Sequence, residues 1–336
     1  MKNRSVFLRA SLACVMSLSV FGLMRAAAQG PTPKPSDAEV KAARAVESAA
    51  DAAAKLTAGE EFVKSFPKGQ LRQGVAEHIA SQISSVKDQA QKMALVKKFQ
   101  TVFNTESEAR AIRPVLIEAY IGLNQIDEAF SNGASYLAKN PDDVAVLTTL
   151  ALAAIDQATK HNNPKYVNEG GQYGTKAIAL LEAPKPAGMS DEEWGGYQKN
   201  LPPLYQQMAI VSLMNKETSK AQSQLEKSQK LNPSDPFTYY LLGSIADDEY
   251  TRAAQTIKNM PEGKQRDDLL KQAMGLMDKV IDYYAHAVGL SEGKPDYQKF
   301  HDQLLQYLAS YYKYRHNNSV DGMQKMIDGY KPAVTP

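Results

Sequence analysis

The stretch Pro202–Asp235, PPLYQQMAIVSLMNKETSKAQSQLEKSQKLNPSD, decides the fold. Its first half places Tyr205, Met208, Ala209 and Leu213 at helical spacing, and its second half does the same with Ala221, Leu225 and Leu231. Apolar residues recurring every three or four positions make two amphipathic helices. The second stops at Asn232-Pro233, because proline has no N–H for the next helical hydrogen bond. Arg110–Asp143 reads the same way, with Val115, Leu116, Ala119 and Tyr120, then Ile126, Ala129 and Leu137, then Asn140-Pro141. A third window runs from His301 and closes at Lys331-Pro332. In each window one residue stands 12 positions before the proline: Ala129, Ala221 and Val320. A unit of about 34 residues built from two helices predicts an array in which no pair buries its apolar face alone.

These residues resemble the tetratricopeptide repeat. The segment after Pro236, FTYYLLGSIA, adds Tyr239, Leu242, Gly243 and Ala246 on one face, and Leu150-Ala151 and Ala287 also match. The chain departs from the pattern at Arg113, Gly133 and Val320. The resemblance covers about Arg110 to Lys331. It implies an all-α fold, a right-handed α-α superhelix formed by a solenoid of antiparallel helix pairs. It also implies binding of a protein or peptide in a groove lined by the first helix of each pair, without a cofactor. Tyr240, Tyr312 and Lys313 fall where the family presents groove residues. The Lys/Asn/Arg set that grips C-terminal carboxylates in some members is absent at matching positions.

The spacing is irregular. Pro141 and Pro233 are 92 residues apart, and Pro233 and Pro332 are 99 apart, so tight windows alternate with expanded ones. The expanded units are 144–201 and 236–300. Part of each excess is expected between two helices, near His161–Pro164 and near Met260–Gly263. Such loops would project from one edge of a solenoid as a recognition rim, with Asn162 and Glu262 as contact residues. Drift explains the same observation more simply, since insertions in surface loops cost little. Ser190 to Glu193 spell a capping box that opens a short helix carrying Trp194, the single tryptophan. Trp194 either packs this helix onto the array or anchors a partner.

At the N-terminus, Lys2, Arg4 and Arg9 precede an apolar run from Ala10 to Met24, followed by Ala26-Ala27-Ala28. This is the pattern of a signal peptide over 1–28 with cleavage near Ala28, which places the mature chain in a periplasm or outside the cell. An uncleaved anchor is the alternative. Cleavage removes Cys14, the one cysteine, and four basic residues, shifting the net charge from +2 to about −2. Neither nucleic acid nor an anionic membrane surface is the partner such a balance implies, and no stable membrane span remains after cleavage. Residues 29–35 read as a disordered Pro-rich spacer. Residues 36–109 read as a helical region of degenerate repeats, with one Ala-rich helix from Ser36 to Phe66 and two more over 70–85 and 86–103. The solenoid proper spans 110–334.

Reactive constellations are scarce. His78, His161, His286, His301 and His316 show no metal-ligand spacing. Asp247, Asp248 and Glu249 lack the alternating oxygen ligands of a calcium loop and read as a solvated helix end. Gly170, Gly171 and Gly174 follow no strand, so they do not form a phosphate cradle. Asn318 or Ser319 reads as a helix N-cap. Tyrosines, by contrast, concentrate in the C-terminal third: Tyr239, Tyr240, Tyr283, Tyr284, Tyr307, Tyr311, Tyr312 and Tyr314. The expectation is a non-catalytic, exported binding scaffold without metal or cofactor. A structural spacer in an envelope or secretion assembly is the second reading, and a hydrolase with paired carboxylates is the third.

Overall fold

The computed structural model describes residues 34–187 and 189–332, which among themselves form fifteen α-helices, one 3-10 turn (Pro295–Tyr297) and no strand. The expected signal segment, its cleavage point near Ala28, most of the spacer and the last residues of the expected solenoid lie outside the described residues. The fold is all-α. It divides into two compact units, one comprising 34–154 and 168–200 and the other 155–167 and 201–332.

The N-terminal unit begins with α1 (Asp37–Ser48), α2 (Ala52–Ser65), α3 (Arg72–Ser84), α4 (Gln89–Val102), α5 (Glu106–Gly122) and α6 (Ile126–Leu137). Each packs on its sequence neighbours, the contact pattern of a helical repeat. The single Ala-rich helix expected from Ser36 to Phe66 is two helices. Backbone at Ala49 turns extended, and Asp51 restarts the helix by accepting a hydrogen bond from the Ala54 N–H at 2.8 Å. The Lys55 ammonium then reaches back to the carbonyls of Val46 and Glu47, satisfying the open end of α1. One continuous core runs from Val46 through Phe62, Ile79, Phe99, Phe103 and Ile112 to Ala119. The position 109/110, expected to open the regular repeats, lies within α5, whose residues belong to that core.

The rest of this unit comes from the first part of α7 (Val144–Lys160), from α8 (Val167–Glu182) and from α9 (Asp191–Gln198). In the C-terminal unit α10 (Leu201–Met214), α11 (Thr218–Leu231), α12 (Pro236–Lys258), α13 (Lys264–Ser291) and α14 (Gln298–Arg315) again stack in sequence, and α15 (Met323–Asp328) packs back on α13. Gly243 on α12 sits so close to Tyr284 on α13 that a Cβ would lie 2.5 Å from the ring, so only glycine permits this approach.

The turns between paired helices repeat in detail. After α5 the N–H groups of Leu123 and Gln125 donate to Ala119 and Tyr120, with Asn124 left-handed at φ 56°. After α10 the N–H groups of Asn215 and Glu217 donate to Val211 and Ser212, with Lys216 at φ 62°. After α14 those of His316 and Asn318 donate to Tyr312 and Lys313, with Asn317 at φ 50°. A left-handed residue of this kind closes a helix by capturing its last carbonyls. The helix expected to start at Asn318 or Ser319 begins later, at Met323. Asn317 and Asn318 are both left-handed and belong to the turn, and Ser319 accepts from Asp321 N–H.

The expanded units are not built from long loops. The connection between α7 and α8 is residues 161–166, and that between α12 and α13 is residues 259–263. The excess of the second unit is helix: α12 has 23 residues and α13 has 28. Buried residues of α12 end at Ala246 and those of α13 begin at Ala273, so the two helices run on together past the core. The first unit spends its excess on the 183–190 connection and on α9.

Candidate binding surface

Helix α14 buries Phe300, Leu304, Leu308 and Tyr312, a stripe at four-residue spacing. Beside that stripe Tyr307, Tyr311 and Tyr314 occupy positions i, i+4 and i+7 and share a second face. Tyr307 is 50% exposed and Tyr314 is 69% exposed, high values for such large side chains. Tyr311 is half-buried, and its hydroxyl donates to Asp247 of α12. Its ring meets Tyr250 edge-on at 6.1 Å and Tyr284 at 6.2 Å. Tyr284 continues the row to Tyr240 at 6.3 Å, and Tyr240 to Phe237 at 5.7 Å. The Tyr314 hydroxyl also lies near Tyr250. A row of rings thus passes from the start of α12, through α13, to the exposed face of α14.

These phenols keep their protons. Burial, then the bond to Asp247, pushes the Tyr311 phenol far up. Burial and the nearby Asp247 charge do the same to Tyr284. Tyr250 rises through burial and through Tyr314. Each remains a hydroxyl donor rather than a phenolate at neutral pH, so the row offers ring faces and O–H groups, the chemistry of contact rather than of proton abstraction.

Of the residues expected to contact a partner, Trp194 belongs to the N-terminal unit and Tyr240, Tyr312, Lys313, Asn162 and Glu262 to the C-terminal one. Tyr240 is half-buried within the ring row, edge-on to Phe300 at 5.5 Å. Tyr312, expected in a groove, is buried; its hydroxyl donates to the Asp321 carbonyl at 2.8 Å and its ring stacks on His316 at 4.0 Å. It holds the α14–α15 turn. Lys313 is exposed but sits about 100° round the helix from Tyr314, away from the tyrosine face. Trp194 is buried in the N-terminal unit, on α9, which tethers itself to α8 through Gln198 Nε2 and the Leu181 carbonyl at 3.3 Å. Asn162 is exposed but left-handed at φ 53°, the helix-closing role that Asn124 and Asn317 fill elsewhere. Glu262 is exposed in the short α12–α13 connection. With no enlarged loops, the expected rim is absent from both connections.

Sequence reading noted Tyr307, Tyr311 and Tyr314 within the tyrosine enrichment but chose Tyr312 for contact, and it did not single out Tyr250. The available signal was the four-residue spacing of Leu304, Leu308 and Tyr312, which assigns Tyr312 to the core and turns its neighbours outward. Histidines besides His316 also find partners. His286 lies between the rings of Tyr239 at 3.6 Å and Tyr330 at 4.1 Å, and His301 meets Asp302 at 3.1 Å. Among the described residues no group of three or more His, Cys, Asp or Glu side chains could hold a metal ion, and no helix is long and apolar enough to cross a membrane.

No protein-family model and no curated protein matches this sequence. Solved structures of similar fold include a TPR protein of Thermus thermophilus, 15% identical, with 70% of this chain aligned to 99% of that one at a TM-score of 0.40. Another is a monomeric mutant of IFIT1 with Gppp-AAAA, also 15% identical, with 83% of this chain aligned to 56% of that one at a TM-score of 0.42.

Proposed function

We propose that the protein is an exported, non-catalytic scaffold that holds a protein or peptide against the tyrosine face of α14. The observation that carries this reading is the exposure of Tyr307 and Tyr314 at the end of a ring row anchored in the core. Tyrosine offers a large, stiff contact area with a polar tip at low entropy cost, which is why it is enriched where proteins meet. The face lies on the first helix of the α14–α15 pair, the position that lines the groove in repeats of the resembling family. Export rests on the residues before Gln29, whose basic start and apolar run fit a signal peptide.

The test is site-specific photocrosslinking in cells that make the protein. Benzoylphenylalanine at 307 or 314 should yield one discrete adduct, and at exposed Gln222 on α11 none. Equal crosslinking from all three positions would remove the reading.

A further inference from the structure

We infer that residues 316–331 form a releasable strap whose docking on α13 holds the last turn of α14 and so controls the tyrosine face. This rests on the binding reading above and adds its regulation. The strap is fastened at two ends. At the α14 end the Tyr312 hydroxyl donates to the Asp321 carbonyl at 2.8 Å, and the His316 ring stacks on Tyr312 at 4.0 Å. The carbonyls of Tyr312 and Lys313 accept from the N–H groups of His316 and Asn318, the first residues of the strap. Tyr314 stands within the turn that these bonds close. At the α13 end Tyr330 donates to Asp282 and stacks on His286 at 4.1 Å, while Lys331 meets Glu292 at 2.8 Å.

Between its fastenings the strap has little to hold it. Helix α15 has six residues, and Ile327 is its one buried side chain. A helix that short does not persist alone in water, because so few hydrogen bonds do not repay its nucleation. It therefore exists docked or not at all, as a local unit that opens while the rest of the fold stays closed. The docking site is specific. Beneath the strap α13 presents Gly289, where a Cβ would lie 2.6 Å from the Ile327 carbonyl oxygen and 3.0 Å from the Tyr330 Cβ. Tyr311 is tied to Asp247 of α12, so release loosens α14 only beyond that residue. Arg315 pairs with Asp278 of α13 at 2.7 Å across the same turn, but the pair is exposed and opposes release only weakly. Undocking thus separates Tyr314 from the ring row, and the face that a partner reads is intact only while the strap is down.

The test is Gly289→Ala, which wedges the strap from below while favouring α13 itself, alanine being the better helix former. Gly275→Ala, on the same helix with nothing within 4 Å of the added Cβ, is the control. Amide exchange is read by mass spectrometry at a single pH on the full chain without its first 28 residues. Gly289→Ala should lower protection at least about tenfold over 323–330 and several-fold over 312–316, with α10 and the first half of α12 unchanged. Photocrosslinking in cells from benzoylphenylalanine at 314 should fall several-fold in the same variant. Gly275→Ala should leave both readouts as they are.

Protection lost over 323–330 but kept over 312–316 overturns the coupling, and protection kept over both overturns the release. Loss over both with undiminished crosslinking from 314 overturns the control of the face and leaves the binding reading standing. A parent chain that gives no adduct from 314 removes the binding reading, and the strap's control of that face falls with it. The inference stands when all three losses occur together in Gly289→Ala and none occurs in Gly275→Ala.

Discussion

The two units use tyrosine hydroxyls differently. In the N-terminal unit the phenol–carboxylate bonds are local: Tyr173 donates to Glu169 one turn away at 2.7 Å, and Tyr136 to Asp143 just past the end of its own helix at 2.7 Å. In the C-terminal unit they cross between helices, Tyr311 of α14 to Asp247 of α12 and Tyr330, after α15, to Asp282 of α13. The N-terminal unit joins its helices through a hydrocarbon core that encloses Ile79 and Ile112 completely, with Phe99 stacked on Phe103 at 4.7 Å at the end of α4, and through the Arg72–Glu108 pair. A hydrocarbon core ends at its own edge, since nothing apolar gains by reaching into water. A tyrosine core need not end there, because the hydroxyl is content in water or on a carboxylate while the ring stays packed. This is why the C-terminal unit, and not the N-terminal one, carries a row of rings from its interior to its surface.

The largest test of this contrast lies in the charged pairs. Arg72 and Glu108 form a buried bidentate pair in the N-terminal unit, and Glu108 also completes the capping box with Thr105 at the start of α5. Burial pushes the Glu108 carboxyl up, but the bonds from Arg72 and Thr105 outweigh it and hold the group below the usual carboxylate range. Glu108→Ala should lower unfolding free energy by about 2–3 kcal/mol, because it removes the partner of a half-buried guanidinium and the α5 capping box together. The equivalent Arg315→Ala in the C-terminal unit, where the pair is exposed, should leave the urea midpoint unchanged. Comparable losses would mean that the two units are not held differently.

The next effect compares single hydroxyls. Tyr311→Phe should cost about 1.5–3 kcal/mol, the range for a hydrogen bond to a charged group. Tyr173→Phe should cost less than about 1 kcal/mol, because Glu169 is only half-buried and gains water in exchange. If the two substitutions cost the same by chemical denaturation, the distinction between joining and local phenols fails.

The smallest effect is in pH. Burial lowers the His286 pKa below its ordinary value, with Asp282 opposing, while the ring is clamped between Tyr239 and Tyr330. Released, the imidazole binds protons more readily than it does in place. Docking of α15 should therefore be fully present above the ordinary histidine value and weaken as pH falls through the lowered one. Tyr330 also bonds Asp282 and Lys331 bridges Glu292 and Asp328, so these carboxylates must be kept ionised during the measurement. Amide protection over 323–330, corrected for the intrinsic pH dependence of exchange, should fall on going from pH 7.5 to 5.5, and His286→Phe should abolish the change. His78 in the N-terminal unit is lowered in the same sense by burial, followed by Lys55, so a matching loss of protection over α3 would remove the distinction between units.

Much of this architecture is legible in the residues. Asn140-Pro141 and Asn232-Pro233 mark the pair ends, and Asp143 and Asp235 two residues later cap α7 and α12 by accepting from Val146 and Phe237 N–H. The break between α1 and α2 escapes because alanine favours helix on both sides of it, and the single clue is Asp51. The expanded second unit escapes because a residue count alone does not separate a loop from longer helices. Yet no Gly or Pro interrupts residues 244–260, and that is the composition of a helix carried onward. On α14, matching positions to a repeat selected Tyr312 for contact, whereas counting round the helix from Leu304 and Leu308 selects Tyr311. Helical geometry distinguishes adjacent tyrosines that a sequence motif treats as alike.

The overhang of α12 and α13 past their last buried residues makes their tip a splice point. Both helices of the hairpin leave and re-enter the core side by side, and in the connection 259–263 the Asn259 and Met260 N–H groups donate to the last turn of α12 while the Gly263 carbonyl accepts from Asp267 N–H of α13. A guest domain whose termini lie close together, inserted at that connection, would extend the hairpin without displacing any core residue. A fluorescent reporter could therefore ride there, on the same helix pair as Asp247 and Tyr284, while α14 keeps its tyrosines facing outward.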